Sequence, residues 1–341
     1  METPIIVIGG SAGSIEALRK LFSQFPADFA AAVFVVVHTS RHSESQLASV
    51  FQRESSLPVS FASDRHPIKP GHVYVASPDY HLFLETDQMR LTRGPLENNM
   101  RPAIDVLFRS AAVAHRHAVV GVLLSGMLDD GVLGLAAIKR CGGKTVVQSP
   151  EEALFSDMPK NAIAAVEIDH VVTIAQMTDT LLHCLRQPLD TETTVPQALA
   201  QEAKMARRVT SSPDAMAKIG DMVAQSCPTC GGPLWQVKSA PILQHRCHIG
   251  HSFTAPALVE AQAHKVEEAL WIAFRTLEER GRLLERISAT SSNEYLSQTY
   301  DQRAQEAFHY ADRLRQLLYS LDPEDIATAA ADQIIPQDDE A

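Results

Sequence analysis

Three short segments of this 341-residue chain carry residue types that together could perform acyl transfer. Gly9-Gly10-Ser11-Ala12-Gly13 satisfies G-x-S-x-G directly after the apolar run IIVIG (5–9), and helical spacing follows it. Small neighbours let the backbone turn sharply, leave a serine hydroxyl exposed above a sheet, and set amides at a helix N-terminus where an oxyanion can collect. His38 closes the run AVFVVVH (32–38), and Asp129 and Asp130 follow AVVGVLLSG (118–126). An imidazole within reach can take a serine proton, while a buried carboxylate fixes its tautomer and stabilises the imidazolium. A serine opening a helix is by itself an ordinary N-cap, so the weight lies on the conjunction. The rival reading, a phosphate cradle, fails on spacing. The turn is not G-x-G-x-x-G, no Lys-Ser/Thr pair follows it, and His38 stands where a dinucleotide site needs an acid. The order Ser, His, Asp also departs from that of the α/β-hydrolases.

A second constellation is Cys227-Pro-Thr-Cys230-Gly-Gly and Cys247-His248-Ile249-Gly250-His251, with sixteen residues between Cys230 and Cys247. Two knuckles separated by a hairpin-length insert bring four ligands into a tetrahedron, with no position left open for chemistry. The spacing predicts a structural zinc ribbon with Cys227, Cys230, Cys247 and His251 as ligands, and His248 competes for the fourth place. A redox pair is the weaker reading, because no thioredoxin-like unit surrounds the C-x2-C. Cys141 and Cys184 are read as buried bystanders. An odd total of five cysteines fits a reducing compartment better than a disulfide framework.

Positioning these groups requires elements that deliver strand ends to one edge. Short β-branched runs at 5–9, 32–38, 72–77, 118–126, 144–149 and 170–174 alternate with helical patterns up to about residue 186. That alternation predicts an α/β fold: a doubly wound, mostly parallel sheet, with an antiparallel margin from the hairpin 81–85 and 88–94. Catalytic groups in such sheets converge from the carboxyl ends of strands. The expected organisation is a catalytic domain over 1–186, a polar linker over 187–226 with one helix near 197–209, the ribbon over 227–254, a helical hairpin over 255–321, and a fraying tail over 322–341. Apolar residues at steps of three and four on both long helices describe a packed pair, by self-packing or as a homodimer. Hydrophobic residues make up 45% and charged residues 21% of the chain, as in ordinary soluble domains. Thirty basic against forty-one acidic side chains, net charge −11, argue against nucleic acid and anionic membranes as partners. No segment approaches the ~20 apolar residues needed to span a bilayer, and no signal peptide is evident, so the expected location is the cytoplasm.

GGSAGSIEAL, VVVHTS, PDYHLFLE, RPAIDVLFRSAA, LLSGMLDDGVLGLAAIK and FSDMPKNAI together resemble the chemotaxis protein-glutamate methylesterases over residues 4–186. The resemblance implies a serine hydrolase that demethylates glutamyl methyl esters on the cytoplasmic helices of chemoreceptors, with deamidation of glutamine at such sites as a related activity. It places the nucleophile on Ser11, the base on His38 and the acid on Asp130, with Asp129 at a variable position. It assigns backbone oxyanion donors to Met127 and Ala12, and it implies no cofactor for catalysis. The chain departs from the family pattern at Ala12, at Ser125 in place of a threonine, and at Leu128 in place of a glycine. Well-known members carry a phosphoacceptor receiver domain ahead of the catalytic strand. Control by phosphorylation of the same chain is therefore not expected here. The tail resembles one attached to receiver-less members. A general carboxylesterase and a non-catalytic signalling adaptor are the alternatives. His42 and His81 are read as lining the cleft or as solvated, Arg41, Arg93 and Arg101 stay unassigned, and Asp105 is read as a structural hydrogen-bonding group.

Overall fold

The structure, a computed structural model, describes residues 3–40, 45–187, 193–208, 212–238 and 240–320. Two compact units divide the chain, residues 1–257 and 258–341. The first begins with β1 (Ile5–Gly10), α1 (Ser14–Ser23), β2 (Ala32–Val37), α2 (Leu47–Gln52), β3 (Val59–Phe61), β4 (His66–Pro67), β5 (Val73–Val75), β6 (His81–Leu84) and β7 (Gln88–Thr92). It continues with α3 (Ile104–His115), β8 (Val119–Leu123), α4 (Val132–Arg140), β9 (Lys144–Gln148), α5 (Asp157–Ala165), β10 (His170–Val172) and α6 (Ile174–Arg186).

Seven strands form one sheet in the order β10-β9-β8-β1-β2-β5-β3, and every pairing in it is parallel. All six β-branched runs became strands, and Val59–Phe61 joins as an edge. Period-two alternation sends Ile5, Val7, Phe34 and Val36 to one apolar layer and Ile6, Ile8, Val33 and Val35 to the other, so both faces are covered by helices. Each such fully buried side chain contributes about 1.5–3 kcal/mol. The predicted hairpin is present, but β6 and β7 pair with β4 in a separate three-stranded antiparallel sheet rather than along the main sheet's margin. The strand order switches at β1, with β2 added on one side of it and β8 on the other while all three run parallel, and the connections leaving in opposite directions open a crevice at their carboxyl ends.

Residues 187–226 are more structured than their polar composition implies. After α6 come α7 (Gln197–Arg208), α8 (Pro213–Ala217) and β11 (Gly220–Ser226). In α7, Leu199 joins the main core, Ala206 packs with Phe83, Ala103 and Val106, and Met205 packs with Met216, Ile219 and Trp235. This stripe of three apolar residues fastens α7 to the catalytic sheet on one side and to the following module on the other. That module is a four-stranded antiparallel sheet of β11, β12 (Pro233–Val237), β13 (Gln244–Cys247) and β14 (Ser252–Thr254). It belongs to the first compact unit and is not set apart by a linker.

The second unit is made from α9 (Ala255–Thr290) and α10 (Glu294–Ser320). Ala304, Ala307, Ala311 and Leu318 are buried along α10, and a Cβ at Gly281 would meet the Phe308 ring at 2.6 Å, so the two helices pack closely on each other. The expected tail, from Asp322, lies outside the described residues.

Candidate active site

The turn after β1 is shaped by what a side chain would strike. A Cβ at Gly9 would lie 2.2 Å from Ile104, one at Gly10 2.4 Å from Ser14, and Gly13 adopts φ 77° as the residue before α1. Only glycine fits there, and the result is a tight elbow. The Ser11 amide donates to Ser125 O (2.9 Å), while the Ser14 amide and hydroxyl both donate to Ser11 O (3.1 and 2.6 Å). The Ser125 hydroxyl donates to Ala12 O (2.8 Å) and accepts from the Phe155 amide (2.9 Å), so serine at this family departure still ties two loops together. Gly126 is equally constrained, since a Cβ would sit 2.0 Å from Met158 Sδ and 2.9 Å from Ser11 Cβ.

The three candidate reacting groups meet. His38 Nδ1 lies 3.1 Å from Ser11 Oγ, and its Nε2 lies 2.8 Å from Asp130 Oδ2. A carboxylate can only accept, so Nε2 carries the proton and Nδ1 presents its lone pair to the serine hydroxyl. Asp130 accepts three further hydrogen bonds: from the Ile104 amide at Oδ2 (2.7 Å), and from Asn98 Nδ2 (2.9 Å) and the Asp105 amide (3.3 Å) at Oδ1. Burial pulls this carboxyl upward, but the hydrogen bonds and charge of His38, with those from Asn98 and Ile104, outweigh it and hold Asp130 below the ordinary carboxylate range. Among the described residues, the amides of Ala12 and Met127 donate to no acceptor, and Met127 is 55% exposed on the crevice rim. Leu128 takes φ 59°, a left-handed conformation natural to the glycine it replaces. The Asn161 amide anchors its carbonyl at 2.8 Å.

A model of the CheB methylesterase family matches residues 6–181, just over half of the chain. The chain belongs to the CheB methylesterase family. It is 35% identical over 180 residues to a Leptospira interrogans protein provisionally named protein-glutamate methylesterase/protein-glutamine glutaminase, covering 52% of this chain and 93% of that one. It is 34% identical over 186 residues to the Trichodesmium erythraeum protein-glutamate methylesterase/protein-glutamine glutaminase, and the match spans 53% of each. The crystal structure of the Thermotoga maritima CheB methylesterase catalytic domain matches with a TM-score of 0.52 at 30% identity, covering 54% of this chain and 99% of that one.

Other polar residues of this CheB-family crevice serve the framework. Asp105 accepts from the Gly131 and Gly134 amides (3.0 and 2.6 Å), and burial together with the Asp130 charge pushes its carboxyl well above the ordinary value. His81 is buried, bonded to Pro95 O (2.9 Å) and to the Ala103 amide (3.3 Å) rather than facing the crevice, and its burial drives its pKa down. Arg93 and Arg101 both pair with Asp79. Arg41 and His42 lie outside the described residues.

Asp129 is buried with its Oδ1 accepting the Thr254 hydroxyl (2.6 Å), and burial raises its pKa to about 6. A carboxyl raised on folding stabilises below its unfolded value near 4, and that contribution drains away as pH climbs toward 6. Asp129→Asn keeps the acceptor and removes the titration. Its melting temperature should match wild type near pH 4 and exceed it above pH 6, by the equivalent of about 1–3 kcal/mol. A pH-independent difference in thermal melts would refute this.

The ribbon brings Cys227, Cys230, Cys247 and His251 together, with all four ligand atoms within 4.8 Å of one another. Cys227 Sγ and Cys247 Sγ lie 3.7 and 3.5 Å from His251 Nδ1, and the sulfurs of Cys230 and Cys247 lie 3.8 Å apart. Those separations match the edges of a tetrahedron with Zn–S of about 2.3 Å and Zn–N of about 2.0 Å. All three thiols are free, and a hydrogen bond from Cys227 draws the Cys247 thiol strongly downward, toward the thiolate a metal requires. His248 stands outside this set, its ring edge-on to Trp235 at 6.2 Å. Spacing could not separate the two histidines. The turn at Gly250, with φ 117°, does so by bringing His251 back over the sulfurs.

Asn98, Arg246 and Thr254 carry no spacing signal, yet all three belong to the polar network behind Asp130. Asn98 is the nearest of them to a readable cue, because paired asparagines mark turns in left-handed backbone.

Proposed function

We propose that this chain is a cytoplasmic serine esterase that removes methyl groups from glutamyl methyl esters on chemoreceptor helices. The reading rests above all on the continuous hydrogen-bond chain Ser11–His38–Asp130 at the carboxyl ends of three parallel strands. His38 Nδ1 takes the Ser11 proton as Oγ attacks the ester carbonyl. The tetrahedral oxyanion lies against the amides of Ala12 and Met127, at the N-terminal end of α1, where donors already in place need no reorganisation. His38 returns the proton to the leaving methoxide, releasing methanol. Water, deprotonated by the same nitrogen, then cleaves the acyl-serine to give the free glutamate carboxylate and regenerate Ser11. Glutamine deamidation uses the same steps with ammonia leaving.

The crevice rim supports a protein substrate. Met127, Leu154 and Phe155 are exposed beside the nucleophile, an apolar border that can rest on a helix. The acidic net charge and the free thiols fit a cytoplasmic enzyme that binds neither DNA nor lipid headgroups. Among the described residues no helix is long and apolar enough to cross a membrane. A serine-directed fluorophosphonate should label Ser11 stoichiometrically, read by intact mass and peptide mapping. An inert chain would instead indicate an adaptor that keeps the fold without the chemistry.

We assign the four ribbon ligands to a structural zinc ion, which supplies folding energy and takes no part in the reaction. Purified protein should carry one zinc per chain by elemental analysis, and Cys230→Ser should lower that stoichiometry sharply. Chelation should change the fluorescence of Trp235, which packs against His248 within the same module. A chain that is folded and free of metal would end this assignment.

A further inference from the structure

Residues 97–99 form a turn in which Glu97 and Asn98 are gripped by the ribbon and Asn99 by the first turn of α9 just after it. Asn98 and Asn99 both adopt left-handed backbone, φ 49° and 61°, which asparagine tolerates at some cost and which the surroundings must hold. Glu97 is fully enclosed between Arg109 of α3, with Nη2 at 2.7 and 2.9 Å, and Arg246 of β13, with Nη2 at 2.9 Å. The Asn98 amide donates to Ser252 O (2.8 Å), and the Ser252 amide donates back to Leu96 O (3.3 Å). Asn98 Oδ1 accepts from the Thr254 amide (3.0 Å), and Asn99 Nδ2 donates to Ala257 O (3.3 Å).

These contacts settle which way the Asn98 side chain faces. With its oxygen on the Thr254 N–H, its NH2 must point the other way, and there it donates to Asp130 Oδ1 (2.9 Å) and Asp105 Oδ2 (3.0 Å). β14 makes a second contact with the same loop, because the Thr254 hydroxyl donates to Asp129 Oδ1. One ribbon residue thus touches both sides of the Asp129-Asp130 pair, one directly and the other through Asn98. A carboxylate that must hold an imidazole at hydrogen-bond distance needs its own rotamer locked, and such supporting partners commonly matter about 10–100-fold.

We propose that strand β14 is part of the catalytic apparatus: it orients Asn98, Asn98 fixes Asp130, and Asp130 thereby holds His38 toward Ser11. Asn98 and Thr254 are positioning residues for the reaction, and the ribbon is more than an appended binding module. The inference rests on the Ser11–His38–Asp130 reading given above. A merely adhesive interface between ribbon and sheet predicts something different: weakened interface variants would melt earlier but turn over normally while folded.

The test uses the full chain and two measurements, the rate of Ser11 labelling by a fluorophosphonate and the hydrolysis of a glutamyl methyl ester peptide. Asn98→Ala should slow labelling and lower kcat about 10–100-fold, with KM unchanged within about twofold. Thr254→Val should lower kcat about 3–10-fold, and Thr254→Ser, which keeps the hydroxyl to Asp129, should restore it. Wild-type labelling and kcat in folded Asn98→Ala, or a loss carried by KM, would overturn the proposal. Should Asn98→Ala fail to fold by circular dichroism, Asn98→Asp, which keeps an acceptor for the Thr254 amide but loses the NH2 that Asp130 receives, decides, and wild-type kcat in that variant overturns the proposal. A wild-type chain that neither labels nor hydrolyses would bring down the esterase reading itself, and is told apart because all variants would then be equally inert.

Discussion

Ser11→Ala should release no methanol from a methylated receptor fragment above background, a loss of at least about four orders of magnitude. The size follows from what the hydroxyl does. Without Oγ there is no acyl acceptor, and His38 is left facing a methyl group. The fold should not notice. Among the described residues the Ser11 side chain bonds only to His38, while the backbone bonds that shape the elbow, Ser11 amide to Ser125 O and Ser14 to Ser11 O, are untouched. Stability should stay within about 0.5 kcal/mol of wild type in a denaturant melt. Methanol is measured by an alcohol oxidase assay, and turnover persisting in this variant would move the nucleophile elsewhere.

Asp130→Asn should cost about 10³–10⁴-fold in kcat, although it changes one atom. All four partners of the Asp130 carboxylate are donors: the His38 ring and the Ile104 amide at one oxygen, Asn98 Nδ2 and the Asp105 amide at the other. Whichever way the new amide turns, its NH2 meets two donors. If it faces His38, the ring must flip its tautomer and present N–H to Ser11, which removes the base. If it faces Asn98, the cradle is pushed open and a buried donor goes unsatisfied, at about 1–3 kcal/mol. Steady-state kinetics checks this, and a tenfold loss or less would mean that Asp130 does not orient the base.

The parts of this site that were legible are those that parallel-sheet rules make local. Ser11, His38 and the 127–131 loop each follow a β-branched run, and a sheet with such strands must bring their carboxyl ends together. The hairpin at 81–92 was readable as a hairpin, but not its partner β4, because two residues with no hydrophobic pattern leave no trace. β11 went unseen for a similar reason. Its residues after Gly220 are largely exposed and its pairing with β12 is irregular between Val223 and Ser226, so the alternation that marks a half-buried strand is absent. The sequence shows α7 as a helix but not its docking, since three buried residues in a polar stretch do not announce what they bury against. The Asn98 turn was beyond reach altogether: its partners are set by the docking of one sheet on another, which no periodicity encodes.

The bond from Thr254 to Asn98 joins residues 156 positions apart in the chain. A ribosome extending the polypeptide at about 5–20 residues per second takes roughly 8–30 s to travel from one to the other. The sheet with its serine is thus laid down well before the strand that steadies its acid arrives. A nascent chain, or one released by premature termination ahead of residue 252, carries the nucleophile without the brace. On the proposal made above, such a chain should turn over about 10–100-fold more slowly, so full activity should await translation through the cysteine-rich module.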